Sequence, residues 1–158
     1  MRSNFRFSTM KARPKEVTHK IMSAIKSKDT KPEVFFRKAL WKWGIRYRKN
    51  VKIFGRPDIA IQKYRLVIFI DGDYWHGNNW RIRGLPSLDA ELKNYSDFWK
   101  KKILSNMERD RKVNKHYRLL GWTVLRFWQS DIEKNLNKCI IKTINIINTK
   151  KAGNSYSR

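Results

Sequence analysis

The stretch GRPDIAIQKYRLVIFIDGDYWHGNNW, residues 55–80, decides how this chain is read. Its two apolar runs, PDIAIQ and RLVIFI, are rich in β-branched residues and flank a short basic turn, the pattern of two neighbouring strands. RLVIFI is continuously apolar, which predicts a central strand buried on both faces. Acid marks both runs: Asp58 begins the first, Asp71 and Asp73 follow the second, and His76 lies just beyond. Antiparallel pairing through the turn near Gln62 to Tyr64 would bring Asp58 and Asp71 close in space.

That acid is scarce. The 158 residues hold 37 Lys and Arg against 13 Asp and Glu, a formal net charge of +24. Such an excess strains a compact fold unless a polyanion sits against it, so nucleic acid is the expected partner. A membrane is not expected, since a spanning helix needs about 20 apolar residues and no such run is present. Cys139 is the one cysteine, which rules out an intrachain disulfide and a cysteine-based zinc site. The opening MRSNFRFSTMKARPKEV lacks the apolar run of a secretion signal, and an intracellular, cytoplasmic protein is expected.

Working outward from residues 55–80, TKPEVFFRKALWKWG reads as a helix, with Thr30 as N-cap, Pro32 in the first turn, Glu33 three residues after the cap, and Phe36, Leu40 and Trp43 on its apolar side. IRYRK is a further short strand. Residues 95–120 predict a long half-buried helix with Phe98, Leu104, Met107 and Tyr117 among cationic residues. GWTVLRFW is a fourth strand, and Ser130 with Glu133 suggests a capping box opening a last helix striped by Ile132, Leu136, Ile140, Ile144 and Ile147. The expected fold class is α/β, a small mixed sheet in the order αβββαβα flanked by helices. The chain divides into a flexible basic arm over 1–17, a single domain over 18–149 and a disordered tail over 150–158.

Carboxylates at Asp58 and Asp71 in a cationic setting suit Mg²⁺, a hard cation that shares oxygen ligands with substrate phosphate. The ion would polarise a phosphodiester and help generate hydroxide, with His76 in place to take a proton from the attacking water. Ordinary structural roles compete: Asp58 and the Asp71-Gly72-Asp73 segment as turn residues, and Glu33 as the capping partner of Thr30.

The blocks MSAIKSKDTKPE, GRPD, VIFIDGDYWHG, FWKKKILSNMERDR and LGWTVLRFW, in that order, resemble the very short patch repair endonucleases, which nick DNA beside a T:G mismatch and share the restriction-endonuclease-like fold. The resemblance implies that Asp58 binds metal together with the backbone carbonyl of Ile70, that Glu33 serves the site, and that His76 transfers the proton. It implies that Tyr74, Trp75 and Trp99 form an aromatic wedge inserted beside the mismatch, that Lys102 and Asn106 read the mismatched pair, and that Met22 packs near the wedge on the DNA. For Trp99 a place in the core remains the alternative. The four zinc-ligand positions of the family are here Asp73, Asn78, Trp80 and Ser130, so no zinc is expected, and packing around Trp80 and Leu85 is expected to hold the 77–94 loop. Asp71 stands where the family has a second histidine and adds a carboxylate beside Asp58 as a catalytic and metal-binding candidate.

The expected function is therefore a Mg²⁺-dependent DNA endonuclease nicking one strand at or near a T:G mismatch. Double-stranded DNA is the partner, mismatch-repair proteins are candidate partners, and a monomer is the expected state. A restriction or homing-type enzyme cutting matched DNA is the alternative, and a non-catalytic nucleic-acid-binding protein is a second.

Overall fold

A computed structural model of the chain describes residues 28–155. The arm over 1–17 and Met22 lie outside the described residues. Helix α1 (Lys31–Lys42) is followed by strands β1 (Arg48–Lys49), β2 (Ile59–Ile61) and β3 (Leu66–Asp71), two short helices, α2 (Asn79–Ile82) and α3 (Leu88–Leu92), the long helix α4 (Asp97–Leu119), strand β4 (Thr123–Trp128) and helix α5 (Gln129–Ser155). The four strands form one mixed sheet in the order β1-β2-β3-β4, antiparallel from β1 to β3 and parallel between β3 and β4. This is the α/β architecture read from the sequence, a small mixed sheet flanked by helices and of restriction-endonuclease-like type. Two short helices are added in the loop between β3 and α4. Among the described residues no helix is long and apolar enough to cross a membrane.

The β2–β3 turn forms as expected: Gln62–Tyr64 make a single helical turn, and Arg65 at φ 45° reverses the chain into β3. All six residues of β3 are buried. Side chains alternate across a strand, so β3 feeds both faces of the sheet. Leu66, Ile68 and Ile70 join Phe36 and Leu40 of α1 and Ile132, Ile140 and Ile147 of α5 in the larger core. Val67 and Phe69 join Ala60, Val113 and Tyr117 in a smaller core under α4. The expected stripe of α5 holds, with Leu136 and Ile144 packed against its buried members, although Asn135 at φ −140° and ψ 48° kinks the helix. That helix runs on to Ser155, past residue 149.

Three local expectations change. The buried stripe of α4 is Ile103, Val113 and Tyr117, while Phe98 and Leu104 point outward. Trp43 follows α1 as an exposed residue rather than closing its apolar side. Ser130 is the second residue of α5, not its cap, and its hydroxyl bonds Asp73.

Candidate active site

Strand parity builds the site. Ile59 and Ile61 face the larger core and Ala60 the smaller one, so Asp58, two residues before Ala60, falls on the α4 side. Asp71 shares that side with Val67 and Phe69. Arg126 does too, since it lies opposite Phe69 in the β3–β4 register, and its guanidinium carbon sits 4.3 Å from the centre of the Phe69 ring. The site is thus the end of the sheet where the smaller core stops and polar side chains take over beneath α4.

Asp58 Oδ2 accepts the Ile70 backbone N–H at 2.7 Å, which fixes the first acid against the end of β3. Burial, with the Glu33 and Asp71 charges, pushes the Asp58 carboxyl up to about 6 against the pull of that hydrogen bond. Asp71 is 6% exposed, and burial raises its carboxyl above the ordinary range although Arg126 and His76 pull it down. Arg126 Nη1 donates to both oxygens of Asp71 at 2.8 Å. The same nitrogen lies 3.1 Å from Asp110 Oδ1, and Arg126 Nε donates to Asn114 Oδ1 at 2.9 Å. His76 Nδ1 is 2.5 Å from Asp110 Oδ2 and 3.8 Å from Asp71 Oδ1. Asp71, His76 and Asp110 each offer a ligand atom within 4.8 Å of the others.

Glu33 departs from a simple cap. Its Oε2 accepts the Asp29 backbone N–H at 2.8 Å and its Oε1 accepts the Thr30 hydroxyl at 2.9 Å, while the Thr30 side chain caps no backbone N–H of α1. Arg37, buried one turn on, bonds Asp29 at 2.5 Å and lies 3.8 Å from Glu33. This second carboxylate–guanidinium group brings the start of α1 to the same cleft as Asp58.

The cleft, about 1060 Å³, is lined by Glu33, Asp58, Ile70, Asp71, His76 and Asp110. Trp75, Trp99, Lys102 and Asn106 line it as well. Trp75 and Trp99 pack with ring centres 5.5 Å apart, and Tyr74 extends the cluster at 5.0 Å from Trp75. Tyr74 does not line the cleft itself and packs also against Tyr95, with ring centres 5.4 Å apart. Trp99 is part of this surface cluster, not of either core. Asn106 donates its amide to the Trp75 carbonyl at 3.0 Å, tying α4 to the aromatic loop. Met22 is outside the described residues.

The 77–94 loop is anchored by polar contacts, where packing around Trp80 and Leu85 was expected. Asp73 Oδ1 accepts from Asn78 Nδ2 and the Ser130 hydroxyl, both at 2.7 Å, and Asp73 Oδ2 accepts the Ser130 N–H at 3.0 Å. Asp73, Asn78 and Ser130, three of the four positions that the family resemblance sets against zinc ligands, are here joined by hydrogen bonds. Buried Glu91 forms a second anchor, accepting from Asn79 and the Tyr95 hydroxyl at 2.6 Å each. Gly77, next to His76, has φ +78°, a conformation glycine adopts freely and a side chain would strain, and a Cβ there would also press on Met107 Sδ at 2.6 Å.

The sequence reading missed Asp110 and Arg126. Asp110 stands seven residues after Ile103 and three before Val113, a charged residue within the buried stripe of α4. That signal was available. Arg126 becomes visible only once β4 is registered against β3.

The arrangement suits hydrolysis of a phosphodiester: clustered carboxylates for a hard cation, an imidazole held by a carboxylate, and a cationic, aromatic rim. The family model described as DNA mismatch endonuclease Vsr matches residues 11–82. The chain is 44% identical over 128 residues to a type II nicking enzyme, V.NmeDIP, of Neisseria meningitidis serogroup C, covering 80% of this chain and 83% of that protein. It is 43% identical to V.HpaIIP, a type II nicking enzyme of Haemophilus parainfluenzae, over 81% of this chain and 88% of that one. With the DNA mismatch endonuclease Vsr of Escherichia coli K12 it shares 34% identity over 73% of this chain and 70% of the relative. By sequence, fold and the contents of its cleft, this chain belongs to the Vsr family of DNA endonucleases.

Proposed function

We propose that this endonuclease nicks one strand of double-stranded DNA at or beside a T:G mismatch, with Mg²⁺ as its cofactor. One observation carries the proposal: Asp58, Asp71 and His76 open into the same cleft as Trp75, Trp99, Lys102 and Asn106. Phosphodiester chemistry and a surface able to engage bases therefore share one space. The names of the relatives, nicking enzymes and a mismatch endonuclease, support a single-strand break.

The donor set fits Mg²⁺. Burial and the Glu33 and Asp71 charges make ionisation of Asp58 costly, and a divalent cation relieves that cost with the oxygen ligands it prefers. Asp58, the Ile70 carbonyl and Asp71 would hold it. Bound there, the ion would polarise the scissile phosphate and offset charge on the leaving oxygen.

The remaining steps fall to the chain. Asp110 accepts a hydrogen bond from His76 Nδ1, which leaves Nε2 as the proton acceptor for the attacking water. Glu33, held by Asp29 and Thr30, supports the acid cluster from α1. Lys102, Arg109 and Arg56 on the cleft draw in the phosphate backbone, so affinity falls steeply with salt. Trp75 and Trp99 replace base stacking lost beside the mismatch, and a mismatched step costs less to open than a paired one. Lys102 and Asn106, four apart on α4, face the pair together. The enzyme acts on DNA in the cytoplasm as a monomer, with mismatch-repair proteins as candidate partners.

The test is a labelled T:G duplex beside its matched counterpart, incubated with Mg²⁺ or chelator. The expected result is one metal-dependent break in the mismatched duplex, lost in Asp58→Ala and His76→Ala. Equal cleavage of both duplexes would replace mismatch repair with a restriction or homing-type activity. Cleavage unaffected by chelator would overturn the metal requirement.

A further inference from the structure

The trio Asp71, His76 and Asp110 has the spacing of a divalent-metal site, with ligand atoms within 4.8 Å of one another. Yet its electrostatic centre is already taken. Arg126 Nη1 donates to both Asp71 oxygens at 2.8 Å and lies 3.1 Å from Asp110 Oδ1. The guanidinium is held in turn: Nε bonds Asn114, and its carbon sits over the Phe69 ring. An arginine fixed by four neighbours is a preorganised cation.

We infer that the Arg126 guanidinium fills the place a divalent ion would take among Asp71, His76 and Asp110, so that this trio is an arginine seat and not a second protein-held metal site, with Asp71 shared between the seat and the proposed Asp58 site. Arg126 is then a positioning residue. It offsets the like charges of Asp71 and Asp110, holds Asp110 against His76 Nδ1, and keeps His76 from becoming a metal ligand. A metal at the trio would coordinate the imidazole nitrogen that the proposed reaction needs oriented by Asp110, so the fixed cation preserves the proton acceptor. The inference rests on the proposed metal-dependent reaction, but its primary readout does not require cleavage.

Divalent-ion binding to the DNA-free full chain, measured by calorimetric and spin-resonance titration with Mn²⁺, tests it. Arg126→Met should bind one more Mn²⁺ per chain than wild type, because Asp110 and the side of Asp71 turned to Arg126 lose their internal cation beside His76. Arg126→Lys should keep the wild-type count. In single-turnover nicking, Arg126→Met should lose about 10- to 100-fold in rate with DNA affinity within about threefold, the size expected when a partner that orients a site's side chains from outside is lost. Arg126→Lys should recover part of that loss. Equal Mn²⁺ counts for wild type and Arg126→Met would overturn the inference. Should Arg126→Met fail to fold, Asp110→Asn decides: an unchanged count supports the arginine seat, and a lowered count places a metal in the trio. Failure of wild type to need any metal for nicking would instead overturn the reaction itself, a separate outcome.

Discussion

The two faces of β3 do opposite work one residue apart. Leu66, Ile68 and Ile70 enter a core closed by α1 and α5, whereas Val67 and Phe69 enter a smaller core that gives way to Asp71 at the strand end. On the first face, burial is apolar and stabilising. On the second, buried carboxylates need Arg126, a backbone N–H or a bound cation to be tolerated. A single strand therefore separates the part of the molecule that keeps it folded from the part that spends stability on chemistry.

The comparison breaks most sharply by removing chemistry without touching the first face. His76→Ala and Asp58→Ala should each reduce single-turnover nicking by about 10²–10⁴-fold, the span of general acid–base contributions. Thermal unfolding should show both variants at least as stable as wild type without metal. A fall in melting temperature alongside the lost activity would mean that the polar end of the sheet is structural after all.

The converse change is Ile68→Ala on the larger core. Ile68 is fully buried, and its truncation should cost about 2–5 kcal/mol in chemical denaturation. Below the unfolding transition, nicking per folded molecule should stay close to wild type.

Much of this division is legible in the sequence. Continuous apolar character in RLVIFI marks a strand buried on both faces, and the flanking acids and turn are local features, so the pairing of Asp58 with the end of β3 follows from short-range pattern. What escapes is long-range. Arg126 meets Asp71 across 55 residues, and His76 meets Asp110 across 34, through a parallel register and a helix docking that no local period reveals. Likewise, Asp73 and Ser130 lie 57 residues apart, which is why a capping box looked reasonable for Ser130.

A smaller effect is expected at the rim. Trp99→Ala should leave the fold intact and weaken binding to a T:G duplex by about 1–3 kcal/mol, the range for loss of one stacking platform. Fluorescence anisotropy on mismatched and matched duplexes would check this. Loss confined to the mismatched duplex is the signature of a wedge, whereas an equal loss on both would assign the ring to general backbone contact.

The smallest effect isolates what the acid costs the fold. Asp58 in the folded chain ionises at about 6, above its ordinary value near 4, because burial and the Glu33 and Asp71 charges oppose its negative form. Between those values the folded protein holds a proton that the unfolded chain has released, so stability falls as pH rises from about 4 to about 6 and then levels. Asp58→Asn removes that loss. Its advantage over wild type in metal-free denaturation should be negligible below about pH 4 and reach about 1–2 kcal/mol above pH 6, after allowance for the partial exposure of the group. Adding Mg²⁺ at pH 7.5 should reverse the order, since an ion that binds only the folded wild type stabilises it by mass action and leaves the variant unchanged. An advantage of equal size at pH 4 and pH 7 would locate the effect in the Ile70 hydrogen bond instead of in the charge, and would remove the physical reason for placing the cation at Asp58.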